Sequence, residues 1–165
     1  MNHEESKLQQ QCVAAFRAQF PQYAMLLVHP INEGSQYTRV TGAIHKAEGA
    51  VAGVADLLFF MPAVFDAETA RITGAPILAY GLAIEFKTDK GKMSQEQKDW
   101  ARMIRAAGWA HEVVRSYESF QMLINGWLAH VDQTVKNMIA LEYQDMETER
   151  AEREKAKFRR VLAKP

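Results

Sequence analysis

Residues 80–88, YGLAIEFKT, form an apolar, strand-like run with Glu85 and Lys87 set into it two positions apart. On a strand, residues i and i+2 project to the same face, so this carboxylate and ammonium point together, with the small Ala83 beside them. Ile84 and Phe86 point the other way and anchor the strand in a core. Burying such a pair for packing alone is costly. The chain must therefore fold so that the charged end of this strand meets a cleft.

A second run, VADLLFFM at 54–61, begins with a carboxylate, Asp56. It is expected to pair antiparallel with 80–88 as the other arm of a hairpin. If Met61 faces Tyr80, Asp56 lies opposite Glu85, and two carboxylates and a lysine converge. Like charges repel at that separation unless a cation lies between them, and hard oxygen ligands suit Mg²⁺ or Mn²⁺ better than zinc. The backbone carbonyl of Phe86 is the expected additional ligand.

The arms are separated by an 18-residue connection, 62–79, which holds two prolines and Gly74 and is read as a long excursion without assigned structure. Upstream, Leu8, Cys12, Ala15, Phe16 and Phe20 recur at helical spacing until Pro21. YAMLLVH, between the prolines at 21 and 30, reads as a buried strand, and a helix near Gln36 to Glu48 is expected to end at Gly49. Downstream, Ser94 opens a helix with Trp100, Met103, Ile104 and Ala107 on one face and Gly108 as its stop. WAHEVVR reads as a strand. After Ser116 as a cap, Phe120, Leu123, Ile124, Trp127, Leu128 and Val131 mark another amphipathic helix. The fold class is α/β, in the order α-β-β-β-α-β before the final helices, with a mixed sheet flanked by helices.

From residue 142 onward more than half of the chain is charged, with no glycine and with proline only at the end. This composition gives a solvated helical extension, and the chain divides into 1–133 as the main domain and 134–165 as a charged helical tail. The 20 basic and 20 acidic residues cancel, so any nucleic-acid partner must be recognised locally rather than by a global field. Cys12 is the sole cysteine, which excludes an intrachain disulfide and a cysteine-based zinc site and suits a reducing compartment. The histidines show no ligand spacing. No apolar stretch approaches the ~20 residues that span a bilayer, so no membrane association is expected.

Four segments in this order resemble the VRR-NUC domain of the PD-(D/E)XK nuclease superfamily. They are HPINEG at 29–34, GAIHKAEGAVAGVADLLFF at 42–60, YGLAIEFK at 80–87 and GKMSQEQKDW at 91–100, within a match over roughly 10–130. The resemblance implies a restriction-endonuclease-like core. It further implies that Asp56 and Glu85 bind metal, that Lys87 is the catalytic lysine, that Glu33 is an additional acid, and that Gln97 is a polar residue borne on the helix near the site. One departure is Ala55 before Asp56, where the family usually has proline. A less rigid approach to the site is expected from this change.

Each assignment has a plainer competitor. Gln97 completes a capping box with Ser94, Glu33 alone would be a loop acid, and Trp100 and Trp127 belong first to the core. Lys90 and Lys92 follow Lys87 on a loop and are expected phosphate contacts, with Arg39 and Lys46 as further DNA-binding candidates. The expected activity is Mg²⁺- or Mn²⁺-dependent, structure-selective cleavage of DNA, of Holliday-junction resolvase type, by a cytoplasmic homodimer in a bacterial cell or phage-infected host. No small-molecule cofactor is expected. The alternatives are an inactive nucleic-acid-binding or assembly module of the same fold and a flap or single-strand end nuclease.

Overall fold

The computed structural model describes residues 3–30, 44–65 and 77–162. Helix α1, His3–Gln19, buries Glu5, Gln9, Cys12 and Phe16. That stripe runs at helical spacing, but its first two members are polar, because this half of the helix lies over the charged end of the sheet. Leu8 and Ala15, expected on the buried face, are only partly covered. The ring of Phe16 meets Phe59 edge-on at 5.3 Å and so joins α1 to the sheet.

Pro21 opens a 3₁₀ helix, Pro21–Leu26, and leaves only Leu27–Val28 as strand β1. The expected strand across 23–29 is thus mostly a turn of helix. Proline is pre-set for the first helical position, and Tyr23 is buried with its ring stacked on Phe20 at 6.3 Å.

The main sheet contains β1, β2 (Leu57–Phe59), β5 (Leu82–Phe86) and β6 (Ala110–Val114), in that spatial order. The β1–β2 and β2–β5 pairs are antiparallel and β5–β6 is parallel. Within 62–79, β3 (Ala63–Phe65) and β4 (Ile77–Ala79) form a separate antiparallel pair. Between Phe59↔Leu82 and Ala63↔Ala79, three residues on one arm oppose two on the other. The ladder slips there as at a bulge. Pro62 has no N–H to give, and the N–H of Tyr80 turns away to the carbonyl of Gly108. Met61 therefore does not pair with Tyr80. It is fully buried, and its carbonyl accepts the indole N–H of Trp127 at 2.9 Å.

One face of the sheet, with Leu57, Phe59, Leu82, Ile84 and Phe86, is buried against α1 and helix α3, Tyr117–Ala129. Phe86 stacks on Phe120 at 6.1 Å. The other face carries Ala83, Glu85 and His111 and meets helix α2, Gln95–Ala106, through a Trp100–His111 contact at 6.1 Å. Gly108, at φ +86°, stops the chain after α2.

Ser94 and Gln97 form a reciprocal capping box at the start of α2. Ser94→Ala removes the cap and is expected to cost about 1 kcal/mol, read as a lower melting temperature. Residues Met1–Val131 make one compact unit and Asp132–Pro165 another. The second contains α4, Gln133–Leu162, with ion pairs along its surface such as Glu149–Arg153. No helix among the described residues is long and apolar enough to cross a membrane.

Candidate active site

The β2–β5 register pairs Leu57 with Ile84, so the next step outward sets Asp56 opposite Glu85. Asp56 reaches across the rim of the sheet, where its Oδ2 accepts the N–H of Phe86 at 2.7 Å. Glu85 is 1% exposed. Lys87 Nζ donates to Glu85 Oε1 at 2.5 Å, and Gln97 Nε2 donates to the same oxygen. The amide oxygen of Gln97 accepts the N–H of Ser94 at 2.9 Å. One side chain thus caps α2 and holds the site carboxylate, because an amide can accept at one end while donating at the other.

Both side-chain donors converge on Oε1. Oε2 of Glu85 is buried with no hydrogen-bond partner. Burial, and next the charge of Asp56, push the Glu85 carboxyl up to about 7, against the pull of Lys87. An orphaned buried acceptor costs about 1–3 kcal/mol. A divalent cation between the two carboxylates would satisfy that oxygen and offset the repulsion, so the residues present fit Mg²⁺ or Mn²⁺. Among the described residues, no three His, Cys, Asp or Glu side chains gather into a metal-binding group. The protein's share would be two carboxylates with the Phe86 backbone alongside, and Mg²⁺ commonly keeps waters in its other positions.

The approach to Asp56 is held without the proline that the resemblance led us to expect. Ala55 is 1% exposed, and the carbonyl of Asp56 accepts from His29 Nδ1 at 2.7 Å. Gly53, at φ +82°, lies so close to the first turn of α2 that a Cβ would stand 2.4 Å from the Glu96 carbonyl carbon and 2.6 Å from the Gln97 nitrogen. This contact locks the loop before Asp56 to the helix that carries Gln97. Gly53→Ala is expected to cost about 1–2 kcal/mol from the backbone conformation alone. Separation of the loop from α2 should also lower Mn²⁺ affinity, which calorimetry would read.

Three participants escaped sequence reasoning. Glu5 is 8% exposed, accepts the N–H of Thr88 at 3.1 Å, and adds to the rise in the Glu85 pKa. Gln9 is equally buried and lies against His29 and the Asp56 carbonyl. Arg115 Nη1 gathers the carbonyls of Thr88, Asp89 and Gly91, fixing the loop that follows Lys87. A cavity of about 220 Å³, lined in part by Glu5, Lys87, Thr88 and Arg115, opens beside the lysine. The available signal for Glu5 and Gln9 was their place on the same helical stripe as Cys12 and Phe16.

Lys90 and Lys92 are exposed on the loop held by Arg115, and Lys46 is exposed in a helical turn over 44–47. Glu33 and Arg39 lie outside the described residues. The ring of Phe86 belongs to the core on the opposite face.

The sequence profile of the VRR-NUC domain matches residues 3–118. A solved structure described as a VRR_NUC domain protein superposes with a TM-score of 0.60 at 18% identity, covering 80% of this chain and 93% of that one. At that identity the likeness shows a shared fold. No curated protein matches the chain.

Proposed function

The chain belongs to the VRR-NUC family, and from that premise we propose that it is a Mg²⁺- or Mn²⁺-dependent endonuclease hydrolysing phosphodiester bonds in branched DNA. The observation that carries this reading is Glu85, buried with one oxygen held by two side-chain donors and the other without a partner. A metal ion held by Asp56 and Glu85, with the Phe86 carbonyl as a further ligand, would supply positive charge to a phosphate oxygen and lower the pKa of an attacking water.

The chain's own groups do the rest. Lys87 uses one of its three N–H donors on Glu85 and can direct another towards the charge that grows on the phosphate. Gln97 holds Oε1 and so keeps the carboxylate in one orientation. Asp56 ties the Phe86 backbone to the rim of the sheet. Lys90 and Lys92 are the proposed phosphate contacts beside the lysine, and Arg39 and Lys46 are proposed further along the DNA. Glu33 retains its proposed role as an additional acid. Symmetrical cutting of a four-way junction needs two sites related by a twofold axis, so a homodimer forms part of this reading.

The test is a panel of labelled four-way junction, splayed arm, flap, duplex and single strand, incubated with Mg²⁺, Mn²⁺ or EDTA. Metal-dependent cutting with preference for the junction is expected. A flap preference replaces the resolvase reading while keeping the chemistry, and a monomer in light scattering counts against the junction. Folded protein that cuts nothing with either metal overturns the assignment and leaves a binding module.

A further inference from the structure

We propose that the groove along the outer side of α1 is a subsite for the nucleic-acid strand next to the scissile phosphate, with Arg17 binding a flanking phosphate and His29 supporting the adjoining base. The proposal rests on the nuclease reading of the Asp56–Glu85 site and adds a surface to it. Ser6, Gln10, Val13 and Arg17 follow one another at helical spacing, beside the buried stripe of Glu5, Gln9, Cys12 and Phe16. They run about 16 Å along the helix. With Gln9 and His29 they line a cavity of about 410 Å³.

His29 connects this groove to the site. Its Nδ1 is 2.7 Å from the Asp56 carbonyl, which can only accept, so the proton lies on Nδ1. The Gln9 amide nitrogen approaches the same carbonyl at 3.4 Å. The imidazole is therefore held by the backbone of a proposed metal ligand while the residue remains exposed on the groove. An aromatic ring held in this way is a stacking platform for a base.

At the far end Arg17 is exposed and forms no ion pair among the described residues. A planar guanidinium matches phosphate geometry, and the exposed amide of Gln10, which donates to Ser6 Oγ at 3.1 Å, keeps its carbonyl for a sugar or base edge. Ring, groove and cation thus lie along one track that starts at His29, beside the Asp56 backbone, and ends at Arg17, with the apolar Val13 and Ala14 in its wall between them. A purely structural role for Arg17, offsetting the dipole at the end of α1, would show in stability and leave affinity for DNA unchanged.

The test is fluorescence anisotropy in EDTA with a labelled four-way junction and a labelled single strand, over a series of salt concentrations, using the full chain. Arg17→Ala should weaken binding about tenfold and reduce the log–log salt slope by about one, at unchanged melting temperature. Arg17→Lys should restore the slope. Arg150→Ala, which removes the same charge from α4, should leave affinity as in the wild type. His29→Ala should weaken binding to the single strand.

If the wild type binds and cuts while Arg17→Ala binds equally well, the groove is overturned and the nuclease reading stands. Equal losses from Arg17→Ala and Arg150→Ala also overturn it, since net charge would then be the cause. A wild type that neither binds nor cuts DNA removes the nuclease reading and the subsite together.

Discussion

Glu85→Gln is expected to lower the single-turnover cleavage rate by about a thousandfold or more with the protein still folded. The substitution keeps the size of the side chain, and its amide oxygen can still accept from Lys87 and Gln97. What it changes is the second oxygen, which becomes an NH₂ group that cannot ligate a cation. Calorimetric binding of Mn²⁺ should disappear along with activity. Lys87→Ala separates the two functions, because it removes the ammonium and leaves both carboxylates. Its cleavage should fall by about a hundred- to a thousandfold, with Mn²⁺ binding retained. A Glu85→Gln protein that cuts at the wild-type rate would sink the assignment of the site.

The second large effect is on stability against pH, where two buried groups act in opposite directions. His111 is 1% exposed, its ring nitrogens have no hydrogen-bond partners, and burial, with the charge of Arg105, lowers its pKa from 6.5 to about 4. Between those values the unfolded chain takes up a proton that the folded chain refuses. The stability tied to neutral His111 is therefore present above pH 6.5 and lost as pH falls through 4, by about 3 kcal/mol in all. Glu85 runs the other way, since its folded pKa is raised from 4.5 to about 7. Its contribution is present below pH 4.5 and lost as pH rises through 7, by about 3 kcal/mol.

The windows overlap, so melting temperature in the metal-free protein should be nearly flat between about pH 4.5 and 6.5. Each variant should expose the other group. Glu85→Gln should lose stability on acidification from 6.5 to 4, and His111→Leu should lose it as pH rises from 4.5 past 7. Thermal melts across pH decide this, and a Glu85→Gln profile that overlays the wild type would remove Glu85 as the titrating group. Metal binding adds a linked expectation. Below pH 7 a cation must displace the Glu85 proton, so apparent Mn²⁺ affinity should drop about tenfold per pH unit.

Much of the sheet and the three helices beside it were legible in the chain. Ser94 and Gly108 bound α2, and Ser116 opens α3, because caps and stops act on backbone groups a few residues away. The alternation in AIEFK put Glu85 and Lys87 on one face for the same local reason. The conformation of 21–26 was less legible, since YAMLLV suits a strand by composition while the proline before it starts a 3₁₀ helix. The slip between the two ladders of the excursion was also hidden, as it depends on where the Tyr80 N–H finds its acceptor, at Gly108.

The sequence by itself determined the period of each element, the positions of most caps, and the three charged groups that share the end of one hairpin. Only the tertiary structure decided which neighbours those groups have. Glu5 meets Thr88 across 83 residues of chain, Gln97 reaches Glu85 because Gly53 lets a loop lie against α2, and Arg115 holds the loop after Lys87 from the end of β6. Periodicity and capping are set by residues within a turn or two of one another. The burial that raises the Glu85 pKa and leaves one of its oxygens without a partner arises when distant segments pack, and no short stretch of sequence carries it.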